Sequence, residues 1–280
     1  MRALIPVFSA VLVLLFLFSC NNTGKNPGNV EDSFTDSLAY EFDTISRTLS
    51  CNDEREEPCL DVQIIMLQVK GDAPEEVIEE INAQLERSAA NADNSEAPAL
   101  KPEALADNLV KEYQRILQEM PDYKMPWEMS QMYEVVLNEN GLFGVMLSSY
   151  SFTGGAHGNY FYLHQLYEIN SGKRLKITDL VKEEAMVQLR KMAERQFYEI
   201  NNIGDSTSLS DAGYWFEENT FALPDNFSYS HQGLEFIYNT YEVASFSEGV
   251  IRIRFDLEEV NALIKPQYRL LEAETPAAEA

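Results

Sequence analysis

The amino-acid sequence predicts an α+β fold in which antiparallel β-sheet carries helices packed on one face. Runs with strand-like patterning and amphipathic runs with helical spacing follow one another in mixed order, without regular β-α-β alternation. Several connections in the middle of the chain are too short for a parallel crossover, so the strands that they join must run antiparallel. With 280 residues, the chain is long enough for one large core or two abutting subdomains.

The N-terminus predicts an export signal with a lipid attachment site. Residues 1–19 have Arg2 as their single charge, followed by a short apolar run. This length and these flanks are typical of a secretory signal rather than a membrane span. Leu17-Phe18-Ser19-Cys20 fits the bacterial lipoprotein pattern, so we expect acylated Cys20 to anchor the chain in a membrane. The alternative is an ordinary signal peptide with an accidental cysteine. Asn21, where Asp often marks inner-membrane retention, favours the outer membrane.

The segment after the lipid site and the charge balance point to a tethered acidic protein. Residues 20–37 are polar with Gly and Pro, which predicts a flexible leash. The chain has 46 acidic and 21 basic side chains, a net charge of −25. This sign disfavours nucleic acid, whose binding depends on cationic neutralisation. The acidic surface either serves solubility alone or attracts a cationic protein or divalent cations.

Two cysteines remain besides Cys20. Cys51 and Cys59 enclose a charged segment directly before a predicted strand. In an exported protein, a pair so placed more often forms a disulfide than a metal site. The sequence has no CxxC motif and no suitably spaced histidines, so we expect no bound metal.

The first half of the domain predicts one buried strand and two helices. Residues 60–69 are rich in apolar and β-branched side chains, which indicates a strand. The next segment has Asp72 and Glu75 at capping-box spacing and an apolar stripe. Residues 102–119 carry a second stripe, and Pro121 ends that helix. We therefore expect two amphipathic helices lying on a sheet.

An antiparallel meander is expected next. Asn140-Gly141 joins two β-like runs and supplies the positive φ angles of a tight hairpin. A third run follows the glycine-rich stretch "TGGAHG" and turns at Ser171-Gly172-Lys173 into a short strand over residues 174–177. Because the turns are short, these strands should pair in sequence order.

The last third predicts a helix, a hairpin, a strand and a final helix. Thr178 or Asp179 is expected to cap a helix over about residues 180–200. A hairpin turns at Gln232-Gly233, and strand 250–255 leads to a helix capped by Asp256. The tail, residues 269–280, is expected to be frayed.

The segment "SFTGGAHGNYFY", residues 151–162, invites a catalytic interpretation through His157. A general base needs a nucleophile or substrate within reach, and the sequence has no GxSxG, no HExxH and no spare cysteine. A phosphate cradle needs a following helix, whereas strand-like residues follow here. We therefore expect a structural corner whose glycines permit positive φ or close backbone approach, with no catalytic residue and no cofactor. A hydrolase that uses His157 or a carboxylate pair is the alternative.

Two longer segments resemble the RsiV-like family. "SYSFTGGAHGNYFYLHQLYEINSGKRLKITDLV", residues 149–181, is similar to the signature segment of that family. "GLEFIYNTYEVASFSEGVIRIRFDLEEVNALI", residues 233–264, is similar to its closing segment, with Ser245 and Phe246 in place of the usual Pro-Tyr. The resemblance implies an N-terminal part over residues 38–160 and a C-terminal part over residues 161–268.

The resemblance also implies a function. The family includes an anti-sigma factor whose extracellular domain binds lysozyme, and a peptidoglycan deacetylase that carries this unit beside a separate catalytic domain. We therefore expect an envelope recognition module without catalysis, whose acidic surface attracts a cationic partner such as lysozyme. A purely structural envelope lipoprotein is a further alternative. Loops presented by a rigid sheet carry recognition, which gives these binding candidates: Thr153, Gly154, Gly155, His157, Tyr241, Glu242 and Phe246.

Overall fold

A computed structural model describes residues 36–50, 58–71, 73–90 and 100–270. The signal segment, Cys20, most of the expected leash, Asp72 and nearly all of the tail lie outside these residues. Cys59 is buried, with its Sγ atom 3.3 Å from the carbonyl oxygen of Leu49. Cys51 lies outside the described residues, so the disulfide stays a prediction. In the described part, no helix combines the length and apolarity that a bilayer crossing requires.

A five-stranded sheet forms the first half of the fold and confirms the α+β prediction. Its strands lie in the order β1 to β5, and all neighbours are antiparallel except β2 and β3, which run parallel. The parallel pair is possible because two helices, α1 and α2, connect these strands. The bounds are β1 (Ala39–Leu49), β2 (Leu60–Lys70), α1 (Glu75–Ala90), α2 (Pro102–Glu119), β3 (Trp127–Glu139), β4 (Leu142–Phe152) and β5 (Asn159–Glu168).

A smaller antiparallel sheet of three strands forms the second half. One of its strands contacts β3, β4 and β5 of the large sheet, and two of the helices of this half contact its other two strands. The bounds are α3 (Ile177–Leu180), α4 (Met186–Ile200), β6 (Phe227–Ser230), β7 (Gly233–Tyr238), β8 (Ile251–Phe255) and α5 (Leu257–Val260).

Two hydrophobic cores hold these layers. The helix-side core lies between α1, α2 and one face of the large sheet, and the second core lies between α4 and the small sheet. Burial of such side chains contributes roughly 25 cal/mol for each Å² of apolar surface. Fully buried members include Ile64, Ile81, Leu85 and Tyr113 in the helix-side core, and Leu189, Phe197, Phe236 and Ile253 in the second.

Local turn and capping predictions are confirmed at two places. Asn140 and Gly141 have φ angles of 53° and 70°, as a tight hairpin requires. At the start of α5, the Asp256 N–H donates to a Glu259 carboxylate oxygen at 2.9 Å. Short-range interactions thus determine both the hairpin turn and the start of α5.

The region after β5 differs from the prediction. The expected strand over residues 174–177 is reduced to one bridge between Arg174 and Tyr167. Thr178 and Asp179 lie inside the short helix α3, where Asp179 accepts the Lys176 N–H at 2.9 Å. The expected helix at 180 begins only at Met186. After α3 the chain pairs with the C-terminal segment, where the Lys182 N–H donates to the Leu263 carbonyl at 2.9 Å. This pairing delays the start of the next helix.

His164 on β5 is a buried histidine between the two sheets. Its side chain is 4% exposed, and its Nε2 atom lies 3.9 Å from a Glu235 carboxylate oxygen on β7. Neither ring nitrogen has a hydrogen-bond partner in the described structure. Burial, with a smaller effect of the Arg252 charge on β8, lowers the pKa of His164 from 6.5 to about 4.

This burial makes stability depend on pH. Because the folded pKa is lower than the ordinary value of 6.5, the unfolded chain binds a proton that the folded chain excludes. The stability that the neutral, buried His164 allows is fully present above pH 6.5. It is lost as the pH falls toward 4, because protonation then favours the unfolded chain. We expect His164 to account for a loss of about 2 kcal/mol between about pH 7.5 and about pH 5.

Urea unfolding of the wild type and of His164→Leu at both pH values measures this loss. Other groups titrate in both proteins, so only the difference between them reports His164. The wild type should lose more stability than the variant on acidification. Equal losses in the two proteins would show that His164 does not couple folding to protonation.

Candidate functional site

The corner Thr153–Gly158 connects β4 to β5. Gly154 and Gly155 have φ angles of 94° and 107°, which are rare for residues with a side chain. At Gly158 the constraint is contact, because an added Cβ atom would lie 2.4 Å from the Tyr150 ring. The glycines therefore let the corner fold tightly against the sheet, as the sequence predicts.

His157 is exposed at the tip of this corner. Its Nδ1 atom lies 3.0 Å from the carbonyl oxygen of Gly158. In the neutral ring this contact places the proton on Nδ1 and leaves Nε2 as the acceptor. The ring stacks on Phe246, with centroids 3.6 Å apart and planes 15° apart. Neither neighbour is a nucleophile or a group that would activate a base.

The loop Tyr241–Gly249, between β7 and β8, lies against this corner. Besides the stack of His157 on Phe246, the rings of Tyr241 and Phe246 lie 5.7 Å apart. The structure therefore brings together the two segments that contain the predicted binding residues. We call the surface formed by Thr153–Gly158 and Tyr241–Gly249 the two-loop surface.

Tyr241 is unusual in both exposure and backbone conformation. Its side chain is 54% exposed, and its φ angle is 66°, in the left-handed region. This conformation is uncommon for a bulky residue, and such strain concentrates at functional sites. A tyrosine is thus held at the surface in a conformation that an asparagine or glycine would adopt more easily.

Two asparagines close the outer edge of β5 beside this surface. The Tyr162 N–H donates to Asn239 Oδ1 at 2.8 Å, and the His164 N–H donates to Asn226 Oδ1 at 2.8 Å. The two amide nitrogens both donate to the Tyr162 carbonyl, at 3.0 Å from Asn239 and 2.7 Å from Asn226. The side-chain amides take the place of a neighbouring strand. They also fix the start of the loop relative to β5.

The two-loop surface is aromatic and acidic. Its two segments contain Glu242 and Glu248 but no lysine or arginine. Glu242 accepts the Asn239 N–H at 2.8 Å. Partial desolvation, assisted by the negative charge of Asp225, raises the pKa of Glu242 above its usual value. A cationic group brought to this carboxylate would offset the cost of its partial desolvation.

Trp215 extends the aromatic character to the rim of the surface. Its side chain is 55% exposed, and its backbone N–H donates to the Val243 carbonyl at 2.7 Å. Sequence reasoning missed Trp215, Asn226 and Asn239, because none of them belongs to a periodic apolar pattern. An exposed aromatic residue of this kind is typical of interfaces.

The described residues contain no cluster of three or more His, Cys, Asp or Glu side chains that could hold a metal ion. What the two-loop surface offers is a set of ring faces, two carboxylates and a rigid backbone. This combination suits recognition of a partner more than covalent chemistry.

Comparison with known proteins finds two family matches. Residues 53–160 match the family described as deacetylase PdaC, and residues 178–258 match a protein family of unknown function, DUF3298. No curated protein matches this chain.

Solved structures show the same architecture. A DUF3298 family member from Bacteroides fragilis aligns with a TM-score of 0.64 at 19% identity, over 84% of this chain and 96% of that one. A second member, from Pseudomonas aeruginosa, aligns with a TM-score of 0.56 at 20% identity, over 83% of this chain and 96% of that one. At these identities the likeness establishes the fold.

Proposed function

Because the chain belongs to the RsiV- and PdaC-like DUF3298 domain family, we propose that it is an envelope binding module that recognises a cationic partner and performs no catalysis. Lysozyme is the partner that the family resemblance suggests. The observation that carries this proposal is the meeting of Thr153–Gly158 with Tyr241–Gly249 through the stacked rings of His157 and Phe246. A patch of this kind resembles the aromatic centres that dominate binding energy at protein interfaces.

Charge supports the choice of a cationic partner. The chain has a net charge of −25, and the two-loop surface adds Glu242 and Glu248 without a compensating cation in its own segments. Opposite charge raises the rate of encounter and selects between partners, while the rings supply the contact area.

The lipid anchor completes the proposal. Acylation of Cys20 would hold the domain on the outer membrane, within reach of proteins that act on the cell wall. In this position the domain would sequester or sense such a partner, and it would need no active site of its own.

Binding to immobilised lysozyme tests this function. The full-length protein, in a mild detergent, should bind at low salt (about 50 mM) and much more weakly at about 300 mM, because salt screens exposed charges. Cytochrome c serves as a cationic control and should bind less well than lysozyme. Absence of lysozyme binding at low salt would rule out this partner. Equal binding of lysozyme and cytochrome c would show that net charge alone explains the interaction.

A further inference from the structure

Part of the second face of the large sheet, opposite α1 and α2, is open. Strand register pairs Ser130 with Tyr150 and Tyr150 with Tyr160 across β3, β4 and β5. The adjacent row pairs Met132 with Ser148 and Ser148 with Tyr162. Directly paired residues point to the same face of a sheet. We call the face that carries these six side chains the open sheet face.

This face is not covered by a helix. Residues between these rows, such as Tyr133 and Leu147, point to the opposite side and are buried in the helix-side core. By contrast, Tyr160 is 51% exposed and Met132 is 37% exposed. The small sheet covers the adjoining part of this face, where His164 and Leu166 are buried. At the boundary, the Arg252 guanidinium carbon lies 4.8 Å from the centre of the Tyr162 ring.

The tyrosine rings on this face are held in place. The rings of Tyr150 and Tyr160 lie 4.7 Å apart with planes 42° apart. Gly158 leaves the space that the Tyr150 ring occupies, since a Cβ atom there would lie 2.4 Å from the ring. Side chains fixed before binding lose less entropy when a ligand arrives. The face is therefore preorganised as a ring-bearing platform.

The edges of the sheet argue against addition of a peptide strand. Asn226 and Asn239 occupy the outer edge of β5, as described above. On β1, the Thr44 N–H donates to the Asp43 carboxylate at 2.8 Å, and Arg47 donates to the Ser46 carbonyl at 2.9 Å. Side chains thus form hydrogen bonds with backbone groups of both edge strands, and such bonds help a sheet to resist pairing with another strand.

Charge and polarity on the open sheet face select the class of ligand. The positive charge of Arg252 is already paired with Glu235 at 3.1 Å. The negative charge of Glu128 lies close enough to Tyr150 to interact with its hydroxyl group. An anionic polymer is therefore disfavoured on this face. Serine and tyrosine hydroxyl groups lie among the rings, and each can both donate and accept hydrogen bonds. A sugar ring presents C–H groups to an aromatic face, whose electrons attract them, and hydroxyl groups at its rim.

We propose that the open sheet face binds an uncharged oligosaccharide, with sugar rings stacked on Tyr150 and Tyr160. The three strands that carry these side chains span about 10 Å at their usual spacing. This site adjoins the two-loop surface at Gly158, where the Tyr150 ring packs. The proposed sugar binding does not depend on lysozyme binding.

Calorimetric titration of the full-length protein with chitohexaose, cellohexaose and maltohexaose tests this proposal. A detergent without a sugar headgroup is required. At least one sugar should bind, and the comparison among them identifies the linkage and the substituent that the face prefers. Absence of binding by all three would overturn the proposal.

Variants locate the site. Tyr160→Ala should weaken sugar binding about tenfold or more, the loss expected for a ring that contributes at least 1.4 kcal/mol. Tyr160→Phe, which keeps the ring, should retain most of the affinity. Tyr40→Ala is the matched control, because Tyr40 is 41% exposed on the same sheet but lies outside the two rows. Equal affinity of Tyr160→Ala and the wild type would overturn the assignment.

Discussion

Replacing Gly233 with alanine should destabilise the protein by roughly 3 to 5 kcal/mol, the sum expected from backbone strain and overpacking. Gly233 begins β7 with a φ angle of 109°, and an added Cβ atom would lie 1.9 Å from the Phe255 carbonyl oxygen on β8. A flexible side chain could move aside, but this oxygen belongs to the backbone. The small sheet would have to separate at that point, and its core would open with it.

Gly204→Ala is the matched control for this effect. Its Cβ atom would meet Thr207 Oγ1 at 3.5 Å, an ordinary contact, and its φ angle is not in the positive region. Thermal and urea unfolding of the three proteins should therefore show a large loss for Gly233→Ala and a change within about 1 kcal/mol for Gly204→Ala. Equal stability of both variants would mean that the turn between β6 and β7 relaxes freely.

Replacing Phe246 with alanine should weaken lysozyme binding about thirtyfold, the factor that corresponds to a loss of about 2 kcal/mol at an interface centre. Phe246 contacts both His157 and Tyr241, at centroid distances of 3.6 Å and 5.7 Å. Its removal separates the two loops as well as deleting a contact surface. The folded domain should survive, because Phe246 is only half-buried and lies outside both cores.

Two further variants separate surface contact from loop positioning. Phe246→Tyr keeps the stacked ring and should bind nearly as well as the wild type. Ile200→Ala removes an exposed apolar side chain on α4, 44% exposed, and should have no effect. Measurement of each affinity by biolayer interferometry, with thermal unfolding as a check on folding, makes these comparisons.

Local elements of the fold were predictable from sequence. The prediction placed the second helix at residues 102–119, the bounds that α2 has. The hairpin at Asn140-Gly141 was also predicted, and both residues have positive φ. Helical spacing, a terminating proline and an Asn-Gly turn act within a few residues, so the sequence contains their full cause.

Elements that depend on distant contacts were missed. The edge strand β1 is exposed along most of its length, so it lacks the apolar alternation that marks a half-buried strand. The parallel pairing of β2 with β3 depends on how the connecting helices α1 and α2 pack on the face of the sheet. Pairing of residues 180–182 with the C-terminal segment shortened the helix expected there.

The candidate site was predictable in part. Both of its loops were predicted as separate binding segments, but their contact was not, because His157 and Phe246 are far apart in sequence and meet only when the small sheet docks beside β5. The Asn226 and Asn239 amides act on backbone groups of β5, a role that no local pattern indicates. Sequence patterns thus located the loops, and tertiary packing joined them.

The central claim is that the two-loop surface binds a cationic protein. Titration of lysozyme against the full-length wild type and Phe246→Ala at low salt tests it most directly. We predict saturable binding by the wild type and about thirtyfold weaker binding by the folded variant. Equal affinities of the two proteins, or no binding by either, would contradict the claim.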